Sequence, residues 1–280
     1  MKKFVVMITA FILVGCNSNE ENHLADMNLK GNIKSVKEIH FDGREKFGEF
    51  VKEDWKYTIE YIFNENGNLI ERNSYYSPEN MIRDKIKFLY NNNNEILEEN
   101  KYDSDGNLVS TEKYSYDNSG KKIRKTSIES NKITISEKYI YNNKGQLIEV
   151  QNVLPDGSIS YGEIFSYNNH DILSEKIEMY RNDDETTTNT INKYNRNGQL
   201  VEISFPGSKL TAIKYIYDKN GEIIKQINHL DNGEPNGDTF LTKIKYDEKA
   251  NWINKITIGN SEWSVKADVR IEEREIEYYN

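Results

Sequence analysis

The chain alternates apolar and polar residues in short runs that end in turn signals. In the stretch KYIYNNKGQLIE, Tyr139 and Tyr141 share one face of an extended strand and Ile140 points to the other. An asparagine and Gly145 follow, and they favour a turn because asparagine accepts backbone hydrogen bonds and glycine adopts a positive φ without steric cost. An apolar residue returns at Leu147. The stretch therefore predicts a β-hairpin.

The same pattern recurs eight times, at intervals of 23 to 29 residues. Its second aromatic residue, the anchor, is Phe63, Tyr90, Tyr116, Tyr141, Tyr167, Tyr194, Tyr217 or Tyr246. Four residues later the turn position holds Gly67, Gly120, Gly145, Gly198 or Gly221, and in the other three units it holds Asn94, Asp171 or Ala250. A fixed period of this length indicates an array of one supersecondary unit.

Further turn signals lie between the units, so each period holds two strands. Short connections make sequential strands antiparallel. The expected fold is all-β: an antiparallel meander of about eight repeated hairpins, or about sixteen strands, forming a long, twisted or curled sheet with its aromatic columns on the inner face. No sustained helical stripe follows the first residues, and a helical turn is expected only between Gly43 and Asp54.

The repeated pattern resembles a known family. Tyr-x-Tyr-(Asp/Asn)-x-x-Gly-x-(Leu/Ile) is similar to the YD repeat, also called the RHS repeat, over residues 33–280. The stretch YDEKANWI from Tyr246 and the terminal EIEYY resemble the closing unit of short bacterial lipoproteins that carry these repeats. The resemblance implies a β-shell, although this chain has far fewer units than the large family members that enclose a cargo domain.

The N-terminus resembles a bacterial secretory signal with a lipid-attachment cysteine. Lys2 and Lys3 precede an apolar stretch from Phe4 to Leu13 that is too short for a stable membrane span. The next residues, LVGC, resemble a lipobox, which implies cleavage before Cys16 and acylation of that residue, for example with palmitate. The predicted organisation is a signal peptide at 1–15, a lipidated cysteine and polar tether at 16–31, and a repeat domain at 32–280.

Charge limits the partners. The net charge is −9, and it becomes about −11 when Lys2 and Lys3 leave with the signal. An acidic surface repels phosphate backbones, so nucleic acid is not an expected partner and the lipid supplies membrane attachment. Asn17, and not aspartate, directly follows Cys16, which resembles the sorting signal of outer-membrane lipoproteins. The side of the outer membrane, periplasmic or surface, stays open. A transmembrane barrel is disfavoured by the lipobox and by a mean hydropathy of −0.82.

No residue set predicts an active site, a cofactor or a metal centre. The four histidines, His23, His40, His170 and His229, lack metal-ligand spacing with one another. The DSDG stretch from Asp103 resembles part of a calcium loop but lacks the downstream glutamate, so a turn is favoured. The acidic insertion from Asp231 to Asp238 is interpreted as a solvated loop.

The expected function is therefore non-catalytic binding or scaffolding at the cell envelope, with an unknown protein or glycan as ligand. The alternative is a carbohydrate-binding surface lipoprotein, because flat tyrosine rings stack on sugars. Most of the nineteen tyrosines occupy the anchor columns, where filling the sheet's inner face is the simpler role. Those outside the columns, Tyr75, Tyr76, Tyr161 and Tyr180, are the better ligand candidates.

Overall fold

The computed structural model describes residues 22–76, 81–182, 185–230, 232–260 and 268–279. The predicted signal peptide and Cys16 lie outside these residues. The described chain contains one four-residue helix and eighteen strands. They are α1 (His23–Asp26), β1 (Ile33–Lys46), β2 (Glu49–Phe63), β3 (Leu69–Tyr75), β4 (Ile82–Tyr90), β5 (Ile96–Tyr102), β6 (Leu108–Tyr116), β7 (Lys122–Glu129), β8 (Lys132–Tyr141), β9 (Leu147–Val153), β10 (Ile159–Tyr167), β11 (Leu173–Asn182), β12 (Glu185–Tyr194), β13 (Leu200–Ser204), β14 (Leu210–Tyr217), β15 (Ile223–Leu230), β16 (Pro235–Tyr246), β17 (Trp252–Asn260) and β18 (Asp268–Tyr278). No helix among the described residues is long and apolar enough to cross a bilayer.

The strands form a closed antiparallel barrel. Every strand pairs with its neighbour in sequence, and β1 also pairs with β18. Ser35 lies opposite Ile62 on one side of β1 and opposite Glu277 on the other. Closure satisfies the backbone groups that an edge strand would leave unpaired.

The predicted fold class was correct in being all-β but wrong in its architecture. The sequence analysis expected an open or curled meander with a YD-repeat shell-like form, and the structure is a closed barrel of eighteen described strands. The physical reason is that the repeat determines only each hairpin and its neighbour. Closure depends on the pairing of β1 with β18, the first and last described strands, which a repeat of sequential hairpins does not bring together.

The inner and outer faces can be assigned from strand register and exposure. Paired residues share a face: Glu112 is opposite Ser127 and Tyr114 is opposite Lys125, so Glu112 and Lys125 are diagonal neighbours on one face of β6 and β7. The Lys125 side chain is 22% exposed, whereas Lys113, the next residue after Glu112, is 54% exposed. The same alternation continues around the barrel, so the face that carries Glu112 and Lys125 is the lumen.

The two ends of the barrel carry different turns. The first rim holds the eight repeat turns, from residues 64–67 to 247–250, together with both ends of the barrel sequence, where the Tyr279 N–H donates to the Asn32 carbonyl at 2.8 Å. The second rim holds the connections between repeats, including the turns at 103–106 and 154–157. An apolar cluster lies inside the barrel at the first rim, around the fully buried Phe63 and Val36.

Residues 22–31, here called the strap, pack on the first rim. Asn22 donates from Nδ2 to the Asn66 carbonyl at 2.7 Å, and Leu24 joins the apolar cluster. Asn28 donates to the carbonyl of Asn220 at 3.0 Å, on the β14–β15 turn. The strap therefore bridges the mouth between two parts of the rim that are distant along the sheet. The domain boundary at residue 32 stays a prediction, but the described part of the predicted tether is in contact with the barrel.

The stretch from Gly43 to Asp54 forms a long hairpin of β1 and β2 and not the helical turn that the sequence analysis expected. A positive φ of 55° at Phe47 and 84° at Gly48 makes the turn. Beside it, Lys52 pairs with Glu273 at 2.6 Å on the outer face of β18. Cross-strand pairing with β18 thus outweighs the local helical preference.

Candidate functional site

The predicted turn positions all lie on the first rim. Gly67, Gly120, Gly145, Gly198 and Gly221 have φ values between 76° and 86°, and Asn94, Asp171 and Ala250 have values between 61° and 63°. Asn142 shows the common design: its Oδ1 accepts from the backbone N–H groups of Lys144 and Gln146, both at 3.0 Å. These residues shape the turns, and none of them points a reactive group into the lumen.

The anchor tyrosines point into the barrel and tie each hairpin to the one before it. Each unit has a β-bulge at its anchor, for example between Ile216 and Tyr217. The hydroxyl of Tyr217 donates to the Leu200 carbonyl at 2.6 Å, and that of Tyr90 donates to the Leu69 carbonyl at 2.6 Å. Tyr116, Tyr141 and Tyr167 repeat this contact with the carbonyls of Ile96, Lys122 and Leu147.

The remaining anchors complete or modify this ladder. Phe63 has no hydroxyl, but its own carbonyl accepts from Tyr279 at 2.7 Å. The Tyr246 hydroxyl donates to the carboxylate of Asp218 in place of a carbonyl. Tyr194 packs against the cluster of Tyr139, Val150, Phe165 and Leu173. The anchors therefore have structural contacts, and a ligand site must be sought elsewhere in the lumen.

Charged and aromatic side chains form a belt on the lumen face of β5 to β8. Lys125 pairs with Glu112 at 3.1 Å and with Glu137 at 2.6 Å. The Tyr139 hydroxyl donates to Glu137, and the Tyr114 hydroxyl donates to Glu99. Although burial opposes it, the hydrogen bond and charge of Glu137 raise the pKa of Lys125, which stays protonated. Burial raises the pKa of Glu99, with Glu112 adding to the effect.

The belt continues on β10 to β12. Lys176 pairs with Glu163 at 2.9 Å and with Glu178 at 2.7 Å, and Asn192 donates to Glu178 at 3.2 Å. Burial alone would raise the pKa of Glu178, but the Lys176 ammonium holds it below the ordinary value. Across both segments, five glutamates face two paired lysines. The term lumen belt is used below for Glu99, Tyr114, Glu112, Lys125, Glu137, Tyr139, Glu163, Lys176, Glu178 and Asn192.

A third polar group on the lumen face is fully engaged. Arg274, whose side chain is 7% exposed, pairs with Glu38 at 2.6 Å and stacks 3.7 Å above the ring of Trp252. Lys255 lies 4.1 Å from the same ring and pairs with Glu222 at 2.7 Å. Because each charge has a partner, this group stabilises the seam between β17, β18 and β1 and offers little to a ligand.

The four histidines lie in separate places, and no cluster of three metal-ligating side chains occurs among the residues described. His23 packs in the strap against Phe88, and burial lowers its pKa. His40 faces Glu272 at 3.1 Å from Nδ1 and stacks on a tyrosine ring. His170 is exposed on a first-rim turn, and His229 contacts the Gly233 carbonyl at 3.0 Å.

The two acidic stretches singled out from the sequence have different outcomes. Asp103 accepts from the N–H groups of Asp105 at 3.0 Å and Asn107 at 2.8 Å, and these backbone bonds lower its pKa. The stretch is a second-rim turn, as expected. In the acidic insertion, Asp231 lies outside the described residues and Glu234 is an exposed turn residue, but the stretch is not a loop throughout, because β16 begins at Pro235.

Two of the four tyrosines outside the anchor columns meet in the lumen. The rings of Tyr161 and Tyr180 lie 5.1 Å apart, edge to face, on the second-rim side of the lumen belt. Tyr75 donates to Glu60 at 2.7 Å on the outer face, and Tyr76 is a half-exposed residue of the second rim. The lumen belt was not predicted from the sequence, because glutamate and lysine occupy both faces of the strands and only the strand register shows which of them point inward.

Comparisons with known proteins give no family for this chain. No family model matches it, and no curated protein matches its sequence. The YD-repeat assignment is therefore wrong, because the hairpins close into a barrel and no family model for this repeat matches the chain. In this barrel the Asx residue and the glycine form the hairpin turn, and the anchor tyrosine bonds the preceding hairpin, so the repeated motif serves a closed barrel.

Several solved structures are similar in part. A porin-like protein from Bacteroides uniformis has 13% identity and a TM-score of 0.47, with 89% of this chain and 98% of that chain covered. The Tc holotoxin pore of Photorhabdus luminescens has 11% identity and a TM-score of 0.34 over 75% of this chain and 14% of that chain. A DUF1329 family protein from Desulfovibrio piger has 6% identity and a TM-score of 0.23 over 88% and 86%. All three TM-scores are below 0.5, so function is argued from the barrel's own geometry.

Proposed function

We propose that this is a non-catalytic binding protein of the bacterial cell envelope, anchored to the outer membrane through an acylated Cys16, which holds a polar ligand in its lumen. The observation that supports it most is the lumen belt, which places charged groups and tyrosine hydroxyls inside a closed barrel. A closed antiparallel barrel is compatible with an envelope location. The outer face carries charged ladders such as Lys193 with Glu202 at 2.8 Å, which favours attachment by lipid over a barrel that spans the bilayer.

The arrangement of the belt favours binding over catalysis. Its lysines are paired on both sides, and its carboxylates accept hydrogen bonds from tyrosine, lysine or asparagine, so neither type is left as a free acid, base or nucleophile. Glutamates outnumber lysines in the belt, which disfavours an anionic ligand. A neutral or cationic polar ligand fits this potential, and nucleic acid does not.

A glycan is the second candidate, and the tyrosine pair favours it. Tyr161 and Tyr180 lie at the second-rim end of the belt, and Tyr180 is 49% exposed. Flat aromatic surface beside carboxylates and an ammonium group suits sugar faces and hydroxyls. If the lumen binds a glycan, the rings of Tyr161 and Tyr180 are the surface on which the sugar stacks. Binding of a protein partner does not depend on this pair.

The anchoring part of the proposal is tested by Cys16→Ser in the full-length protein. We expect the wild type to carry acyl chains and to stay in the membrane fraction after a carbonate wash, and the variant to be released. Fractionation and mass spectrometry measure both. A wild type without an acyl group, or a variant that stays in the membrane, would contradict lipid anchoring.

The binding part is tested by titrating the full-length protein with defined soluble oligosaccharides while following tyrosine fluorescence. We expect quenching that Tyr161→Ala abolishes, with Tyr76→Ala as the control because Tyr76 lies on the second rim outside the pair and is 50% exposed, close to the 49% of Tyr180. Quenching that survives in Tyr161→Ala would exclude the tyrosine pair as a glycan site. Lys176→Met, which removes the central cation of the belt, then tests whether the lumen takes part.

A further inference from the structure

We infer that the first rim rests on the phospholipid surface, contacting it with a belt of exposed aliphatic side chains, and that the second mouth opens away from the membrane. The inference rests on the proposed lipid anchor and adds a membrane-contact surface and an orientation to it. Three observations carry it: the length of chain before the strap, an apolar belt at the first rim, and a difference in charge between the rims.

The strap fixes where the chain leaves the barrel. Asn22 is bound to Asn66 on the first rim, and Leu24 donates from its N–H to the Gly67 carbonyl at 3.3 Å. Asn22 lies six residues after Cys16, and at about 3.5 Å per residue this length of chain reaches no farther than about 21 Å. An anchored Cys16 therefore keeps the first rim close to the bilayer.

The same length argues against the opposite orientation. A nine-residue strand such as β4, tilted as in other barrels, gives the wall a height of about 20–25 Å. If the second rim faced the membrane, the six residues would have to cover that whole height along the outside. The first rim meets the bilayer without this requirement.

Exposed aliphatic side chains lie near the first rim, four of them on β3 to β7 and one on β14. The β-bulge that follows each repeat turn places an extra residue there, and in three units it is an aliphatic residue about two-fifths exposed. These residues are Ile70, Leu97 and Ile123. Leu89 and Ile216, each directly before an anchor tyrosine, add side chains that are 50% and 45% exposed. These five residues, called the bulge belt below, are the apolar surface that the inference assigns to lipid.

The rims differ in charge in the direction that this orientation requires. Exposed cations on the first-rim turns are Lys144, Arg196, Lys219 and Lys249, and they are balanced by the exposed acids Glu65, Asp117, Asp171 and Glu248. The described second-rim turns expose three acids, Asp105, Asp156 and Glu234, and one cation, Lys209. Anionic headgroups repel the second rim and tolerate the first. The second rim also exposes apolar side chains, namely Phe47, Met81, Leu108, Val109 and Ile133, so exposed apolar side chains do not decide between the ends. Leu108 and Val109 provide the matched control.

The test uses full-length, acylated protein in vesicles of phosphatidylethanolamine and phosphatidylglycerol that contain a nitroxide-labelled lipid. Acylation blocks Cys16, so one introduced thiol can be labelled with bimane in each variant. Leu97→Cys and Ile123→Cys report on the bulge belt, and Leu108→Cys and Val109→Cys report on the second rim. All four positions are 40–56% exposed, so the label is tolerated without core disruption. We expect several-fold stronger quenching at positions 97 and 123 than at 108 and 109.

Each other outcome overturns the inference and can be told apart. Equal or reversed quenching, with the protein still acylated and in the vesicle fraction, rejects the orientation and leaves lipid anchoring in place. Protein that carries no acyl group and does not sediment with vesicles rejects both. A label at position 97 that is shielded without lipid, together with a dimer mass, assigns the bulge belt to a second copy of the chain.

Discussion

The ladder of tyrosine hydroxyls makes a specific prediction at Tyr217. Its hydroxyl donates to the Leu200 carbonyl at 2.6 Å, and burial raises its pKa to about 12, so it stays a donor across the physiological range. Tyr217→Phe keeps the ring and removes only that donor. Loss of one partner from a buried hydrogen bond costs about 1–3 kcal/mol. For a barrel of this size, each kcal/mol lowers Tm by about 2–4 °C.

Denaturant unfolding of the full-length protein measures this cost. Tyr76→Phe, at a half-exposed position of the second rim, is the matched control and should change stability by less than about 0.5 kcal/mol. Tyr217→Ala separates the hydroxyl from the ring and should cost about 3–5 kcal/mol. If Tyr217→Phe unfolds with the control while Tyr217→Ala is destabilised, the ring packs as described but the hydroxyl does not tie adjacent hairpins together.

Three further predictions concern a turn, the strap and the lumen belt. Gly221→Val should destabilise the protein by about 1–3 kcal/mol because the φ of Gly221 is 86°. Ala250→Gly should stabilise it slightly, because Ala250 has a φ of 63° that glycine adopts without strain. Equal denaturation midpoints for these variants and the wild type would contradict the strain argument. Asn251→Ala should lower the free energy of unfolding by at least about 2 kcal/mol and expose the strap to protease. The reason is that this side chain, 1% exposed, accepts from the N–H of Lys30 at 2.7 Å and donates to the Lys30 carbonyl at 2.8 Å. A protease-resistant variant would refute this role. Burial raises the pKa of Glu99 above 4.5. The folded state therefore binds a proton more tightly than the unfolded state, and it gains stability as the pH falls through the raised pKa toward 4.5. At neutral pH the buried Glu99 carboxylate lowers the stability of the folded state. Glu99→Gln should therefore be more stable than wild type at neutral pH and should lose this gain at mildly acidic pH. Denaturant unfolding of both proteins at the two pH values measures the difference.

The hairpins could be predicted from the sequence because their information is local. An aromatic pair, an Asx residue, a left-handed position and a returning apolar residue lie within twelve residues, as in the stretch that holds Tyr139 and Leu147. The structure places Tyr139 in the lumen, 8% exposed, with Tyr141 and Leu147 packed against it. This local pattern does not determine the curvature of the sheet, since the same hairpin can form part of an open sheet, a shell or a barrel.

Closure and the lumen belt depend on residues distant in sequence. The clue to closure was a mismatch: Phe63 lacks the hydroxyl that the other anchors carry, and the C-terminus has an additional tyrosine pair. Tyr279 donates to the carbonyl of Phe63 and so makes the contact that joins the last strand to the first unit. The belt was hidden because glutamate and lysine occupy both faces, and only register distinguishes the buried Lys125 from the exposed Lys113.

The pairing of β1 with β18 also determines when the chain can finish folding. Every other seam joins neighbours in sequence and can form soon after its second strand emerges, but Ser35 must wait for Glu277. Pairings of such sequence separation form slowly, since a long loop must be closed before any contact stabilises it. During synthesis, β1 therefore has a partner only in β2, and its other edge is open to aggregation or to a chaperone. A chain cut before β18 would keep that open edge permanently.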